Sequence, residues 1–164
     1  MNGTTTTIQE QVVQQLIGKG YHISFAESCT GGLAAAALVS VADASKVLDI
    51  SFVTYANEAK TKYLGVKEAT IETYGVVSEE VAYQMAEGVA KEAGSEIGVG
   101  ITGVAGPSGG TGQKPVGMVC FGFYICGQVY TDTQLFGNPG RNEVRRSSVE
   151  HVYERLQQLL YQCH

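Results

Sequence analysis

Apolar residues at Ile8, Val12, Leu16 and Ile17 recur at helical spacing, and Gly18 and Gly20 predict where that helix stops. Residues 21–26 then read as a first strand, and the small-residue run 32–41 as a buried helix. Residues 49–56 have the β-branched and aromatic content of a second strand. Asn57 is placed to cap a short helix over 58–64 that ends at Gly65. Ser78 followed by Glu79 and Glu80 is a strong helix start, with Val81, Met85 and Val89 as the apolar stripe and Gly94 beyond the end. Residues 97–101 predict a third strand that runs into a glycine-rich stretch, 103–112. Two further extended runs, 116–125 and 129–136, flank Cys126-Gly127-Gln128 and read as a hairpin. The last helix, 142–161, turns Val149, Val152, Leu156 and Leu159 or Leu160 inward.

Strands separated by helices, with one hairpin, predict an α/β sandwich whose sheet is mixed rather than all parallel. At 164 residues the chain has the length of one domain, expected to span 1–164, with no repeat, linker or low-complexity tract. Eleven basic against 16 acidic residues leave a formal charge of -5, which argues against a nucleic-acid partner. The only basic cluster, Arg141, Arg145 and Arg146, suits a single phosphate or carboxylate. Cys29, Cys120, Cys126 and Cys163 lack metal-ligand spacing, so neither a metal nor a cofactor is expected, and free thiols point to a reducing cytoplasm. The first ten residues hold no apolar signal-peptide core, and the longest apolar run, 33–39, is too short to cross a bilayer. A cytoplasmic protein without a membrane partner is the expectation.

Three segments carry chemistry. Ala26-Glu27-Ser28-Cys29-Thr30-Gly31-Gly32 joins the first strand to the next helix, so Ser28 sits on a tight turn beside free amides. Such a turn exposes a nucleophile and holds an oxyanion or phosphate, although Ser, Thr and Gly also cap helices for structural reasons alone. None of His22, His151 and His164 lies in a loop beside these motifs, so a Ser-His-Asp triad is not expected and the proton of Ser28 needs another acceptor. Lys60, in Val53-Thr54-Tyr55-Ala56-Asn57-Glu58-Ala59-Lys60, follows the second strand, and strand ends of an α/β sheet open on one edge. A lysine acts as a base only when burial or a nearby cation lowers its pKa; otherwise it is a solvated surface charge. Tyr55 has its own alternatives, core or catalyst. The third segment, Ile101-Thr102-Gly103-Val104-Ala105-Gly106-Pro107-Ser108-Gly109-Gly110-Thr111-Gly112, is not a Walker loop, since it lacks Gly-Lys-Ser/Thr in place, nor a Rossmann turn, because a strand follows it. Its glycines permit close backbone approach to an anion, or make a merely flexible loop. Arg141 and Arg145, four apart, share a helix face that either grips an anion or stays solvated.

Taken with Gly75-Val76-Val77-Ser78, Lys114-Pro115-Val116-Gly117, and Gly140-Arg141 with Val144-Arg145, these segments stand in an order and spacing that resembles the CinA C-terminal domain. The resemblance covers nearly the whole chain. It implies a three-layer α/β/α fold and nicotinamide-nucleotide amidase activity, in which the carboxamide of nicotinamide mononucleotide is hydrolysed to nicotinate mononucleotide and ammonia. It also implies Ser28 as nucleophile, Lys60 as its base and Tyr55 in assistance. Thr30, Gly31, Gly32, Thr102, Gly103 and Gly106 become substrate and oxyanion contacts, and Arg141 and Arg145 anion-binding groups. The expected partner is a small pyridine nucleotide, and a homo-oligomer is expected. The N-terminal domain of longer members has no counterpart here, so any activity of that domain is expected to be missing. Two other readings remain: a silent nucleotide-binding regulatory module, and an amidase of a different small amide.

Overall fold

The computed structural model describes residues 5–163; residues 1–4 and His164 lie outside them. Thr7 opens helix α1 (Ile8–Lys19) with a capping box to Glu10, and Gly20, in the left-handed region, ends it. Gly18, expected as a stop, is the penultimate helical residue. Strand β1 (Ile23–Glu27) is buried throughout and leads to helix α2 (Leu33–Val39). Strand β2 is only Phe52–Val53, much shorter than the expected run. It is an edge strand that pairs with β1 alone, and the Thr54 and Tyr55 carbonyls beyond it turn instead toward Lys60.

Helix α3 (Asn57–Leu64) begins one residue earlier than expected, with Ala56 rather than Asn57 at the cap position. Helix α4 (Glu68–Tyr74) was not predicted by any pattern in the sequence, because it buries no residue and carries no side-chain cap. Ser78 caps helix α5 (Glu79–Ala93) through the Val81 amide, as expected. Strand β3 (Ile97–Gly103) precedes the glycine-rich loop, and the hairpin β4 (Met118–Ile125) and β5 (Gln128–Leu135) turns at Cys126-Gly127. Helix α6 (Arg141–Gln162) closes the chain, and both Leu159 and Leu160 are buried.

The sheet order is β2-β1-β3-β4-β5, with β2, β1 and β3 parallel and β4 antiparallel to both of its neighbours, β3 and β5, so the sheet is mixed. One face holds the larger core, where Phe25, Val99, Phe121 and Phe123 meet Val12 and Leu16 of α1 and Val152, Tyr153 and Leu156 of α6. The other face receives α5, with Leu64 of α3 beside Val81, Met85 and Val89. This is the three-layer α/β/α arrangement.

Helix α5 lies directly on the sheet backbone. Gly100 and Gly122 are paired across β3 and β4, and a Cβ on either would meet the Ala82 carbonyl oxygen, at 2.5 and 2.3 Å. Backbone has no rotamer with which to yield, so a methyl group there must push helix and sheet apart. Gly122→Ala is therefore expected to destabilise the fold by about 1–3 kcal/mol, the range for overpacking a close-fitting core. Urea unfolding reads this directly; an unchanged midpoint would mean that α5 slides freely on the sheet.

Candidate active site

The carboxyl ends of β1, β2 and β3 open on one edge of the sheet. From β1 the chain leaves toward α2 on one face and returns from β2 through α5 on the other, so β1 sits where the winding reverses, the usual ligand position in open α/β sheets. A cavity of about 370 Å³ lies there, lined by Ser28, Tyr55, Lys60, Thr102, Gly106 and Arg141 among others. That volume suits a small-molecule ligand.

Ser28 is held directly beyond β1, its amide donating to the Ile101 carbonyl at 3.1 Å. Lys60 comes from α3, one turn inside the helix, and is wholly buried. Its Nζ lies 3.1 Å from Ser28 Oγ, 2.6 Å from the Thr54 carbonyl and 3.2 Å from the Tyr55 carbonyl. It forms no ion pair among the described residues. Burial without a compensating carboxylate disfavours the ammonium, and the pKa falls from its ordinary 10.5 to about 8. An ammonium has three donors and no acceptor, and donates to all three oxygens. Once deprotonated, the amine keeps two N–H bonds, to Thr54 and Tyr55, and turns its lone pair to the Ser28 hydroxyl. Cys29, next in the chain, is no rival nucleophile: burial pushes its thiol up to about 11.

Tyr55 stands over the cavity mouth, mostly exposed, and its hydroxyl accepts from Arg141 Nη2 at 3.1 Å. The other end of the same guanidinium donates to the Gly106 carbonyl at 2.7 Å, so Arg141 bridges the two sides of the opening. Thr102 lines the cavity and donates its hydroxyl to the Val76 carbonyl, fixing the 76–77 segment as a further wall. Gly103 and Gly106 also line it. Arg145, expected beside Arg141 as an anion-binding group, is placed differently. Its guanidinium donates to the Cys29 and Thr30 carbonyls at 2.9 and 3.2 Å and to Asn142, and it does not line the cavity. Thr30, Gly31 and Gly32 shape the turn behind Ser28 rather than the cavity wall. Gly31 and Gly32 both have positive φ, 59° and 103°, the backbone that lets β1 turn into α2 within five residues.

The Ser28 amide is already engaged, so oxyanion donors must come from elsewhere. Among the described residues, the amides of Cys29 and Thr30 donate to no other residue, and neither do those of Ala105 and Gly106. The two described histidines stand apart, as expected: His22 pairs with Asp49 and His151 with Asp132, while His164 lies outside the described residues.

A family model described as the CinA C-terminal domain matches residues 5–160. The chain belongs to the CinA C-terminal domain family. A CinA-like protein of Kosmotoga olearia is 50% identical over 139 residues, covering 85% of this chain and 34% of that protein. One from Dictyoglomus turgidum is 48% identical over 141 residues, again 85% and 34%. The chain thus spans about a third of the length of these curated relatives. The competence damage-inducible protein A of Klebsiella pneumoniae superposes with a TM-score of 0.92 at 33% identity, covering 96% of this chain and 97% of that one. The competence/damage inducible protein CihA of Agrobacterium tumefaciens gives 0.89 at 39% identity, covering 97% and 99%.

Two residues of this CinA domain, Glu27 and Lys114, have structural parts that sequence reasoning does not assign them. Lys114 Nζ donates to the Tyr74 and Val77 carbonyls and ties the glycine-rich loop to the 74–77 segment. Its only sequence signal is its place in the Lys114-Pro115-Val116-Gly117 motif. Glu27 offers a plainer one, a carboxylate ending an otherwise uncharged strand.

Proposed function

We propose that this chain hydrolyses the carboxamide of nicotinamide mononucleotide, releasing ammonia and nicotinate mononucleotide, with Ser28 and Lys60 as the reacting pair. The observation that carries the reading is the Lys60 environment: fully buried, without a carboxylate partner, 3.1 Å from Ser28 Oγ and anchored by two carbonyls. A lysine of merely structural use is ordinarily paired or solvated.

In this reading neutral Lys60 takes the Ser28 proton as Oγ attacks the carboxamide carbon. The carbonyl oxygen becomes an oxyanion, met by the open amides at Cys29 and Thr30 or at Ala105 and Gly106. Collapse breaks the C–N bond, and the Lys60 ammonium returns the proton to the departing nitrogen, which leaves as ammonia. Water then attacks the Ser28 ester with Lys60 again as base, freeing the carboxylate and restoring the hydroxyl. Tyr55 and Arg141 frame the mouth, where Arg141 supplies positive charge for the nucleotide phosphate.

The choice of substrate rests on family resemblance, and an ammonia-release screen tests it. Nicotinamide mononucleotide is expected to turn over at least about tenfold faster than nicotinamide or simple amides, because a hydrogen bond from Arg141 to a phosphate contributes about 1.5–3 kcal/mol. Faster turnover of an amide lacking phosphate would shift the assignment to a different amidase. Binding of the nucleotide without ammonia release would instead favour the silent regulatory module.

A further inference from the structure

Glu27 is fully buried at the end of β1, yet nothing in the proposed chemistry uses its carboxylate. Alternation along the strand puts it on the face of Ile23 and Phe25, toward α2 and α6. Its two oxygens accept the amides of Ala34 and Ala35, at 2.9 and 3.1 Å. These belong to the first turn of α2, whose amides have no partner within the helix. The residue at the cap position is Gly32, which has no side chain to offer. The start of α2 is therefore closed by a carboxylate from the far side of the Ser28 turn.

The neighbourhood grips the same few peptides. Tyr153 of α6 donates its hydroxyl to the Ala34 carbonyl, and burial together with the Glu27 charge pushes that phenol up. Arg145 holds the Cys29 and Thr30 carbonyls. Peptide planarity sets the N–H of each following residue opposite to the carbonyl before it, so the Thr30 N–H points away from Arg145. Inside the turn only two backbone bonds contribute, Gly31 to Ser28 and Leu33 to Thr30, each 3.1 Å. Side chains, more than the turn's own hydrogen bonds, fix where Ser28 sits.

We propose that Glu27 is a positioning residue for the hydrolysis: by anchoring the start of α2 it holds Ser28 Oγ against Lys60 and keeps the neighbouring Cys29 at the cavity wall. The inference rests on the Ser28–Lys60 reading. A carboxylate that only stabilised the fold would lower the unfolding midpoint and leave each folded molecule fully active. A positioning carboxylate changes the chemical step itself, since a displacement near 1 Å costs about 100-fold in rate.

The test compares wild type, Glu27→Gln, Glu27→Asp and Ser28→Ala, well below each unfolding midpoint, on nicotinamide mononucleotide. Two readouts are taken: kcat and KM from ammonia release, and the rate at which a fluorophosphonate labels Ser28, located by peptide mass. Glu27→Gln keeps the shape but turns an NH2 group against one amide donor. It is expected to lower kcat and the labelling rate together by roughly 30- to 100-fold, with KM within about twofold, because the substrate contacts lie on other elements. A kcat within twofold of wild type, whatever the change in midpoint, overturns the proposal. If Glu27→Gln does not fold, Glu27→Asp carries the test. It keeps the charge but falls one methylene short, and a roughly 5- to 20-fold loss in kcat at constant KM is expected; an unchanged kcat overturns it. The Ser28→Ala arm separates the two failures. If that variant still turns over, the Ser28–Lys60 reading falls and takes the positioning role with it. If Ser28 is required while Glu27→Gln keeps its kcat, only the positioning role falls.

Discussion

Ser28→Ala is expected to reduce ammonia release from nicotinamide mononucleotide by about 10⁴-fold, the scale on which removal of a nucleophile acts in other covalent hydrolases. Lys60, the glycine-rich loop and Arg141 all remain in place, so the nucleotide should still bind, with Kd within about threefold by calorimetry. The loss therefore falls on kcat. The geometry makes the result specific to the oxygen: Ser28 Oγ is the one polar side-chain atom that Lys60 Nζ meets, its other two partners being backbone carbonyls. Cys29 does not substitute, because its buried thiol is protonated throughout the neutral range. A variant that retained a tenth of the wild-type rate would mean that water, not Ser28, attacks the carboxamide.

What the sequence made legible was whatever is fixed locally or by periodicity. The Val81, Met85 and Val89 stripe and the Ser78 cap of α5, the α6 stripe and the Cys126-Gly127 turn all depend on neighbours within a few positions, and the structure has them. The short β2 was not legible, because strand length at an edge is set by its single partner, β1. Nor was α4, which has neither a buried stripe nor a cap. The nearness of Ser28 and Lys60 was expected from strand ends opening on one edge. Their 3.1 Å contact required more: the Thr54 and Tyr55 carbonyls had to turn inward just as the helix began. Spacing does not encode this. Arg145 shows the limit most clearly. Two arginines four apart on a helix look equivalent in sequence, yet Arg141 reaches across the cavity mouth while Arg145 is consumed by two carbonyls of the turn. Free carbonyls leave no trace in the order of side chains.

Lys60 carries the second large effect. Below its pKa of about 8 the side chain is an ammonium that donates to Ser28 and cannot accept its proton; above it, the free amine can. kcat/KM is therefore expected to rise about tenfold per pH unit on the acid side and to level off with a midpoint near 8. The direction follows from the sign of the shift: burial disfavours the charged form, so the base becomes available well below the pH at which an ordinary lysine loses its proton. Lys60→Arg isolates the role of the proton from the role of the charge. Arginine keeps a cation in the pocket but holds its proton at every accessible pH, so turnover should fall about 10³-fold with no acid limb left near 8. Circular dichroism and the unfolding midpoint establish that the bulkier guanidinium is accommodated; if it is not, Lys60→Met, which is apolar and of similar length, should show the same loss. If Lys60 acted only through its charge, Lys60→Arg would keep most of its activity and the pH limb would persist, and the Ser28–Lys60 pair would have to be abandoned.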